Sequence, residues 1–248
     1  MTMFGRSDDL RGATFEGADL RGARFVEADL SGVVMRGVQV EGLDIDAPWL
    51  PEGPLLVNGV DVVPYVEAEL NRLFPGRDRR RASDPAALRA AWTVLQQTWA
   101  ATLHRAGALT SGAVDLSVGG EWSFAQTLRH LILATDTWLG RAVLGIEQPF
   151  HPLGLAGPQA ADDGLDLSVF RTDVPTYDEV LAARADRVAT VTDYLATVTA
   201  ERLDEPRNNP WAPQYPETVR SCLQVILEEE WEHYRFAVRD LAVVEAGG

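Results

Sequence analysis

The chain contains 248 residues, 46% of them hydrophobic, which is enough to bury a sizeable core. Its formal net charge of −15 opposes binding to a phosphate backbone, so we expect no nucleic-acid partner. The single cysteine, Cys222, excludes an intramolecular disulfide. Without a signal peptide or a long apolar segment, the sequence predicts a cytoplasmic protein that has no membrane partner.

Residues 8–47 repeat every five positions. The apolar centres of the repeats are Leu10, Phe15, Leu20, Phe25, Leu30, Met35, Val40 and Ile45. A helix or a flat strand would scatter these centres over several faces, because neither helical nor strand periodicity divides into five. A square solenoid with one pentad on each side points all of them inward. The segment resembles a pentapeptide-repeat β-helix, and its eight pentads predict two right-handed coils.

Residues 48–83 predict a linker between the repeats and the rest of the chain. The segment is rich in proline, and Asn58-Gly59 stands between two β-branched runs, which is a signal for a short β-hairpin. A short helix over residues 65–74 is expected to follow, before a turn that is rich in arginine.

Four long amphipathic helices are predicted within residues 84–245. Their expected bounds are 85–108, 123–144, 177–199 and 216–244, the last beginning at Pro216 or Glu217. Ser123 and Thr176 each begin a capping-box pattern. Long helices with few strands between them predict a mainly α protein, an antiparallel four-helix bundle preceded by the short β-helix. The loop 146–175 is long enough to form a lid over one end of the bundle.

Two histidines and a glutamate are the strongest candidates for a functional site. On the fourth predicted helix a step of four residues places Glu229 and His233 close together. His233 falls on the stripe that we expect to face the bundle interior. Glu230 lies on the other margin of that stripe, so spacing alone does not choose between the two glutamates. His130 lies on a small, polar side of the second helix, which faces either a wet interior pocket or solvent.

These residues suggest a metal site. A buried carboxylate must be paired or coordinated, and a divalent cation satisfies Glu229 and the imidazoles of His130 and His233 at once. Three protein ligands and one open position are typical of catalytic zinc sites. The competing interpretation is a solvated EEEWEH run with two incidental histidines.

Two segments carry a family resemblance: EWSFAQTLRHLILATDTWLGRAVLG at 121–145 and ILEEEWEHYRFAVRDL at 226–241. They resemble the signature helices of the DinB/YfiT-like superfamily, which includes mycothiol-dependent maleylpyruvate isomerase. The resemblance implies a bundle that holds a divalent metal, zinc or nickel, through one histidine on the second helix and an E/H-x-x-x-H pair on the fourth. His130, Glu229 and His233 fall on those positions. The glutamate variant is similar to the thiol-dependent branch.

The resemblance also implies a mechanism. A low-molecular-weight thiol, similar to mycothiol, would bind the open position and lose its proton there, because a cation lowers the pKa of a bound thiol. The thiolate would then attack an electrophilic small molecule. The chain contains no Ser-His-Asp or Cys-His pattern, in keeping with a nucleophile that comes from the co-substrate.

Four further residues are candidates for substrate binding. Arg184 and Arg187, three positions apart on the third predicted helix, suggest a bidentate grip on a substrate carboxylate. His151 follows the second helix and is a candidate lid residue. Cys222 lies two turns before Glu229 on the same stripe. A surface or core role is the competing interpretation for each of them.

Other functions are compatible with the same residues. A metal-dependent hydrolase would use the same ligands, with bound water as the nucleophile. A non-catalytic binding or scaffold module, in which the metal is vestigial or absent, is the alternative from a different class. Because bundles of this kind often pair through two helices, we also predict a homodimer.

Overall fold

The structure is a computed structural model that describes residues 3–5, 7–157, 160 and 164–247. The chain divides into two compact units, Met1–Asp46 and Ala47–Gly248. The first unit contains the pentad repeats, and the second contains all the described helices and strands. Among those helices, none combines the length and the apolar character that crossing a bilayer requires.

The first unit is built from evenly spaced turns. Backbone hydrogen bonds of 2.9–3.1 Å close a turn every ten residues, and each runs from the residue three positions after a repeat centre to the carbonyl of that centre. The donors are Ala13, Ala23, Val33 and Leu43. These turns place a glycine in the left-handed region, as at Gly12 with φ of 74°, which a residue with a side chain adopts only with strain. The five-residue sequence period therefore appears in the backbone as a ten-residue period of closed turns.

A closed β-helix was predicted for these repeats, and the described residues of the unit differ from it. They include no β-strand, and the eight repeat centres are 43–62% exposed. In a solenoid each repeat contacts only its neighbours, so a centre in a two-coil array has at most one adjacent coil to cover it. The sequence period identifies the repeats correctly, but this array is too short to enclose its apolar centres.

The second unit begins with a hairpin and a short helix. Strands β1 (Leu56–Val57) and β2 (Val60–Asp61) pair antiparallel around the Asn58-Gly59 turn. Both turn residues have positive φ, 51° and 82°, which is the conformation that a two-residue hairpin of this type requires. Helix α1 (Val63–Leu73) follows, and then a 3₁₀ turn over Arg77–Arg81.

The remaining helices make the protein mainly α. They are α2 (Pro85–Gly107), α3 (Phe124–Thr135), α4 (Tyr177–Thr197), the short α5 (Ala200–Leu203) and α6 (Val219–Ala246). The Asp84 side chain caps α2, and capping boxes begin α3 at Ser123, α4 at Thr176 and α6 at Thr218. A second hairpin, β3 (Pro206–Asn208) with β4 (Pro216–Thr218), was not predicted from the sequence.

The four long helices enclose one principal core. Helix α3 packs on α4 and α6, and α2 packs on the same two helices. The largest fully buried side chains of this core include Trp231, Leu88, Leu95, Leu128, Leu131 and Ile226. The contact between α3 and α6 positions the candidate site, because that site uses one residue of α3 and two of α6.

The second predicted helix changes its register partway along. After Thr135 the chain continues as a π-helical segment, Asp136–Val143, rather than as an α-helix. Within this segment Gly140 approaches Pro149 so closely that a Cβ atom would lie 2.6 Å from the proline Cβ. Eight residues are too few to separate a π-helical from an α-helical pattern of apolar positions, so the sequence predicted a single helix through residue 144.

The segment that follows the π-helical residues lies against α3. The Leu155 amide donates to the Arg129 carbonyl (3.1 Å), and the Arg129 side chain donates from Nε to the Leu153 carbonyl (3.0 Å). Phe150 and Leu153 are buried. The first part of the predicted lid is thus a packed layer over α3.

Candidate metal centre

The structure brings His130, Glu229 and His233 together between α3 and α6. One donor atom from each of the three residues lies within 4.8 Å of the other two. The His130 Nε2 atom is 3.5 Å from Glu229 Oε2, and the His233 Nδ1 atom is 3.4 Å from the same oxygen. The side chains of His130, Glu229 and His233 are 20%, 17% and 14% exposed, respectively.

Backbone carbonyls fix the orientation of both histidine rings. The Nδ1 atom of His130 lies 3.3 Å from the Leu155 carbonyl oxygen, and that of His233 lies 2.8 Å from the Glu229 carbonyl oxygen. A carbonyl only accepts, so each Nδ1 carries a proton and donates it. With the proton on Nδ1, the ring nitrogen that can bind a metal ion is Nε2. Histidines that bind metals are usually held in this way, through a hydrogen bond from the other ring nitrogen.

The electrostatics of the site suit metal ligands. Burial lowers the pKa of His233 to about 4, and repulsion from His130 acts in the same direction, so the ring is neutral at pH 7. Burial by itself raises the pKa of Glu229, but its interactions with the His130 and His233 side chains outweigh burial and lower the pKa. Glu229 is therefore a carboxylate under the conditions in which His233 is a neutral base.

The donor set fits a divalent cation. Two ligands that each lie about 2.1 Å from a tetrahedral ion are separated by about 3.4 Å, which matches the spacing of His130 Nε2 and Glu229 Oε2. Two imidazole nitrogens and one carboxylate oxygen are ligands that zinc and nickel both accept. Three protein ligands also leave a coordination position for a small molecule.

The structure separates the two adjacent glutamates. Glu230 is 1% exposed and forms an ion pair with Arg184 of α4, whereas Glu229 faces the two histidines. Arg184 is itself buried, and its guanidinium is directed to this carboxylate rather than to an open cavity. Glu229 is therefore the glutamate that joins the histidines, whereas Arg184 lies in the protein interior and is paired with Glu230.

Arg187 and His151 lie around a different carboxylate, that of Asp136. The Arg187 Nε atom donates to Asp136 Oδ1 (2.5 Å), and the His151 backbone amide donates to Asp136 Oδ2 (2.7 Å). The Leu153 amide donates to the Nδ1 atom of His151 (3.1 Å), so this ring is also fixed by the backbone. These contacts anchor the chain after the π-helical segment, and among the described residues they do not bring Arg187 or His151 into the three-residue cluster.

The remaining candidate, Cys222, lies away from the cluster. Cys222 has no exposed surface and belongs to the principal core, where burial, followed by the negative charge of Glu217, raises the pKa of its thiol to about 12. His104, in the last turn of α2, is exposed. The only thiol of the chain is therefore held in its protonated, unreactive form.

Two aromatic residues at the centre, Trp122 and Phe236, were not predicted from the sequence. The Trp122 ring lies 4.7 Å from the His130 ring and 6.2 Å from the His233 ring, measured between centroids. Phe236 meets His233 edge-on at 5.8 Å. Phe236 could have been found from its spacing, because it follows His233 by three residues on one helix face. Trp122 precedes α3, and no helical period reports its position.

The fold and the site place this protein in a class of mainly α proteins. In this class two imidazoles and a carboxylate converge between two long helices and form a candidate cation site. The family profile of the DinB superfamily matches residues 94–237, more than half of the chain, so the chain belongs to this superfamily, whose members in general bind metals. The profile of pentapeptide repeats matches residues 9–42 in eight copies. No curated protein and no solved structure matches the chain.

Proposed function

We propose that this protein is a metal-dependent enzyme of the DinB type that transfers a low-molecular-weight thiol to an electrophilic small molecule. His130, Glu229 and His233 would hold the ion, zinc or nickel. The observation that carries the proposal is the convergence of the three side chains. Backbone hydrogen bonds engage both Nδ1 atoms, the Nε2 atom of His130 lies 3.5 Å from Glu229 Oε2, and one donor atom of each residue lies within 4.8 Å of the others. A divalent cation at this point would supply a Lewis acid that lowers the pKa of a thiol bound to it.

The chain's own residues have defined tasks in this reaction. Glu229 supplies the one negative charge of the ligand set, so a site that holds a divalent ion keeps a net positive charge, which favours an anionic thiolate. The Leu155 carbonyl and the α6 backbone hold the imidazoles in place, so the ligands do not have to reorganise when an ion binds. The nucleophile would come from the co-substrate, because the thiol of Cys222 is buried in the core.

The arrangement of helices supports this proposal. We infer that α2, α3, α4 and α6 form the antiparallel four-helix bundle typical of the superfamily, since each of α2 and α3 packs on both α4 and α6. In such bundles metal sites form from side chains on facing helices, as His130 does with the two residues of α6.

Elemental analysis of the purified protein tests the metal site. We expect close to one zinc or nickel ion per chain in the wild type and at least a tenfold lower content in His130→Ala and His233→Ala, because losing one of three ligands removes much of the affinity. His104→Ala is the matched control, since this histidine is exposed and remote from the cluster. Equal metal content in the wild type and His233→Ala would refute the proposed site.

Activity assays then test the reaction. The metal-loaded protein should consume an electrophile such as 1-chloro-2,4-dinitrobenzene only when a thiol is added, and His233→Ala should lose this activity. Turnover of an activated ester without any thiol would instead assign hydrolysis to the same centre. A fully loaded protein that does neither across a panel of thiols would favour a non-catalytic binding module.

A further inference from the structure

Trp122 and Phe236 differ from the other large aromatic residues of the bundle. Both are partly exposed, and neither belongs to the hydrophobic clusters that form the core. Each instead contacts a histidine of the candidate metal centre. The Phe236 ring is covered by the guanidinium groups of Arg235 (4.5 Å) and Arg239 (5.4 Å), so Trp122 is the partly exposed aromatic side chain at the centre that has no such cover among the described contacts.

The ring planes of His130, His233 and Trp122 are inclined to one another by 22–37°. The planes of His130 and His233 are 25° apart, with centroids separated by 4.6 Å, and the Trp122 plane is inclined by 22° to that of His233. Phe236 stands almost perpendicular to His233, at 86°. Trp122 therefore provides a flat wall inclined by 22° to the His233 ring and by 37° to the His130 ring.

Two interactions hold Trp122 in this position. The next residue, Ser123, is the N-cap of α3 and is fixed by its capping box with Gln126. The preceding residue, Glu121, accepts a hydrogen bond of 2.5 Å from the Arg239 guanidinium of α6. The backbone on both sides of Trp122 is thus held, once by α3 and once by α6, so a ligand that stacks on the indole meets a surface positioned by both helices.

We propose that the substrate site of this centre is selective for planar, aromatic or conjugated groups, and that Trp122 is the specificity-determining residue. This inference rests on the proposed function, because it places the planar group of a molecule bound at the open coordination position against the indole. Parallel stacking on an indole favours a flat group over a puckered one of equal size, with a preference of about two- to tenfold.

The test compares two thiols of equal size, one with a planar ring and one with a puckered ring, and reads the change in their affinity ratio between the wild type and each variant, because the intrinsic acidities of the two thiols are the same in every measurement. Benzyl mercaptan and cyclohexylmethanethiol have the same number of heavy atoms and the same attached thiol, but only the first has a flat ring. Full-length protein loaded with cobalt(II) is titrated with each, and the thiolate-to-cobalt absorption band reports binding independently of turnover. The variants are Trp122→Leu, which removes the flat wall, Trp122→Phe, which keeps an aromatic face, and Trp49→Leu as an exposed tryptophan control.

We expect the wild type and Trp49→Leu to bind benzyl mercaptan about two- to tenfold more tightly than cyclohexylmethanethiol. The preference should fall to nearly one in Trp122→Leu and be partly retained in Trp122→Phe. Equal affinities of the two thiols in the wild type, or an unchanged ratio in Trp122→Leu, would overturn the selectivity while leaving the metal site intact. Failure of cobalt to bind the wild type would overturn the proposed function and this inference together. If Trp122→Leu does not fold, the wild-type ratio and the intermediate ratio in Trp122→Phe still decide the matter.

Discussion

Glu229 and Glu230 are adjacent on α6, yet their side chains contact different helices and have different partners. Neighbouring residues on a helix point about 100° apart, so one carboxylate faces α3 and the other faces α4. Glu229 meets the two histidines, whereas Glu230 meets Arg184 in the interior. Helical spacing predicted that a glutamate would accompany His233, but the choice depended on the arginine of another helix, which spacing within α6 does not report.

Cys222 gives a prediction about pH. Burial raises the pKa of its thiol from 9.0 to about 12, so between these pH values the folded state binds the proton more tightly than the unfolded state. This stabilisation is fully present below pH 9 and is lost as the pH rises towards 12. We expect the free energy of unfolding, measured by urea titration, to fall by up to about 1.4 kcal/mol per pH unit above pH 9 because of this residue.

Cys222→Ala isolates that contribution from those of other groups. The variant should be less stable at pH 7, because it leaves a small cavity, but it should lose less stability between pH 9 and pH 10 than the wild type. A thiol reagent applied at pH 8 should modify the native protein only as fast as it unfolds. Parallel stability curves for the two proteins above pH 9 would show that the thiol is not buried in this way.

At the scale of elements, the turn between α1 and the following 3₁₀ segment is unusually constrained. Gly76 has φ of 99°, and a Cβ atom there would lie 2.5 Å from Val94 Cγ1 of α2. Gly76→Ala should therefore destabilise the protein by about 2–4 kcal/mol, because the side chain meets both backbone strain and a steric clash. Thermal or urea unfolding measures the change. Gly107→Ala is the control, since its Cβ would have no atom within 4 Å and its φ is ordinary; an equal loss in both variants would contradict the argument.

Helix starts were the best predicted elements, because they depend on local chemistry. Ser123 and Thr176 form the capping boxes that their sequences indicated, and α2 begins at Pro85 after the Asp84 cap. The π-helical segment and the β3–β4 hairpin were missed, because neither leaves a distinct period or turn motif in a few residues. The hairpin strands carry Pro206 and Pro216, which are poor strand formers and concealed the pairing.

At the scale of the whole molecule, the two units differ in how their backbones are held. The second unit has a buried core under long helices. The described residues of the first unit are all exposed, and its backbone is held by a hydrogen-bonded turn every ten residues. Local opening is easiest where few buried contacts oppose it. The five-residue period predicted the repeats, but it could not predict how much of their apolar surface a short array covers.

Limited trypsin digestion tests this difference. We expect the first cuts after Arg11, Arg21 and Arg36 in the repeats and a resistant fragment that contains α1 to α6, with mass spectrometry identifying the cleavage sites. The fragment should retain the metal content of the full chain, because all three candidate ligands lie within it. Digestion in denaturing urea is the control and should remove the difference in rate. Early cleavage within α2 or α6 would contradict this account.

The hydrogen bond from His130 to the Leu155 carbonyl links the centre to the segment that covers α3. Thermodynamic linkage is reciprocal. A ligand that stabilises the packing of that segment on α3 would raise the affinity of the centre for an ion, and a bound ion would raise the affinity for that ligand by the same factor. A molecule that displaced the segment from α3 would lower the affinity of the centre for an ion without contacting His130, Glu229 or His233. The position of that segment and the occupancy of the centre by an ion would then be coupled through a single backbone oxygen, that of Leu155.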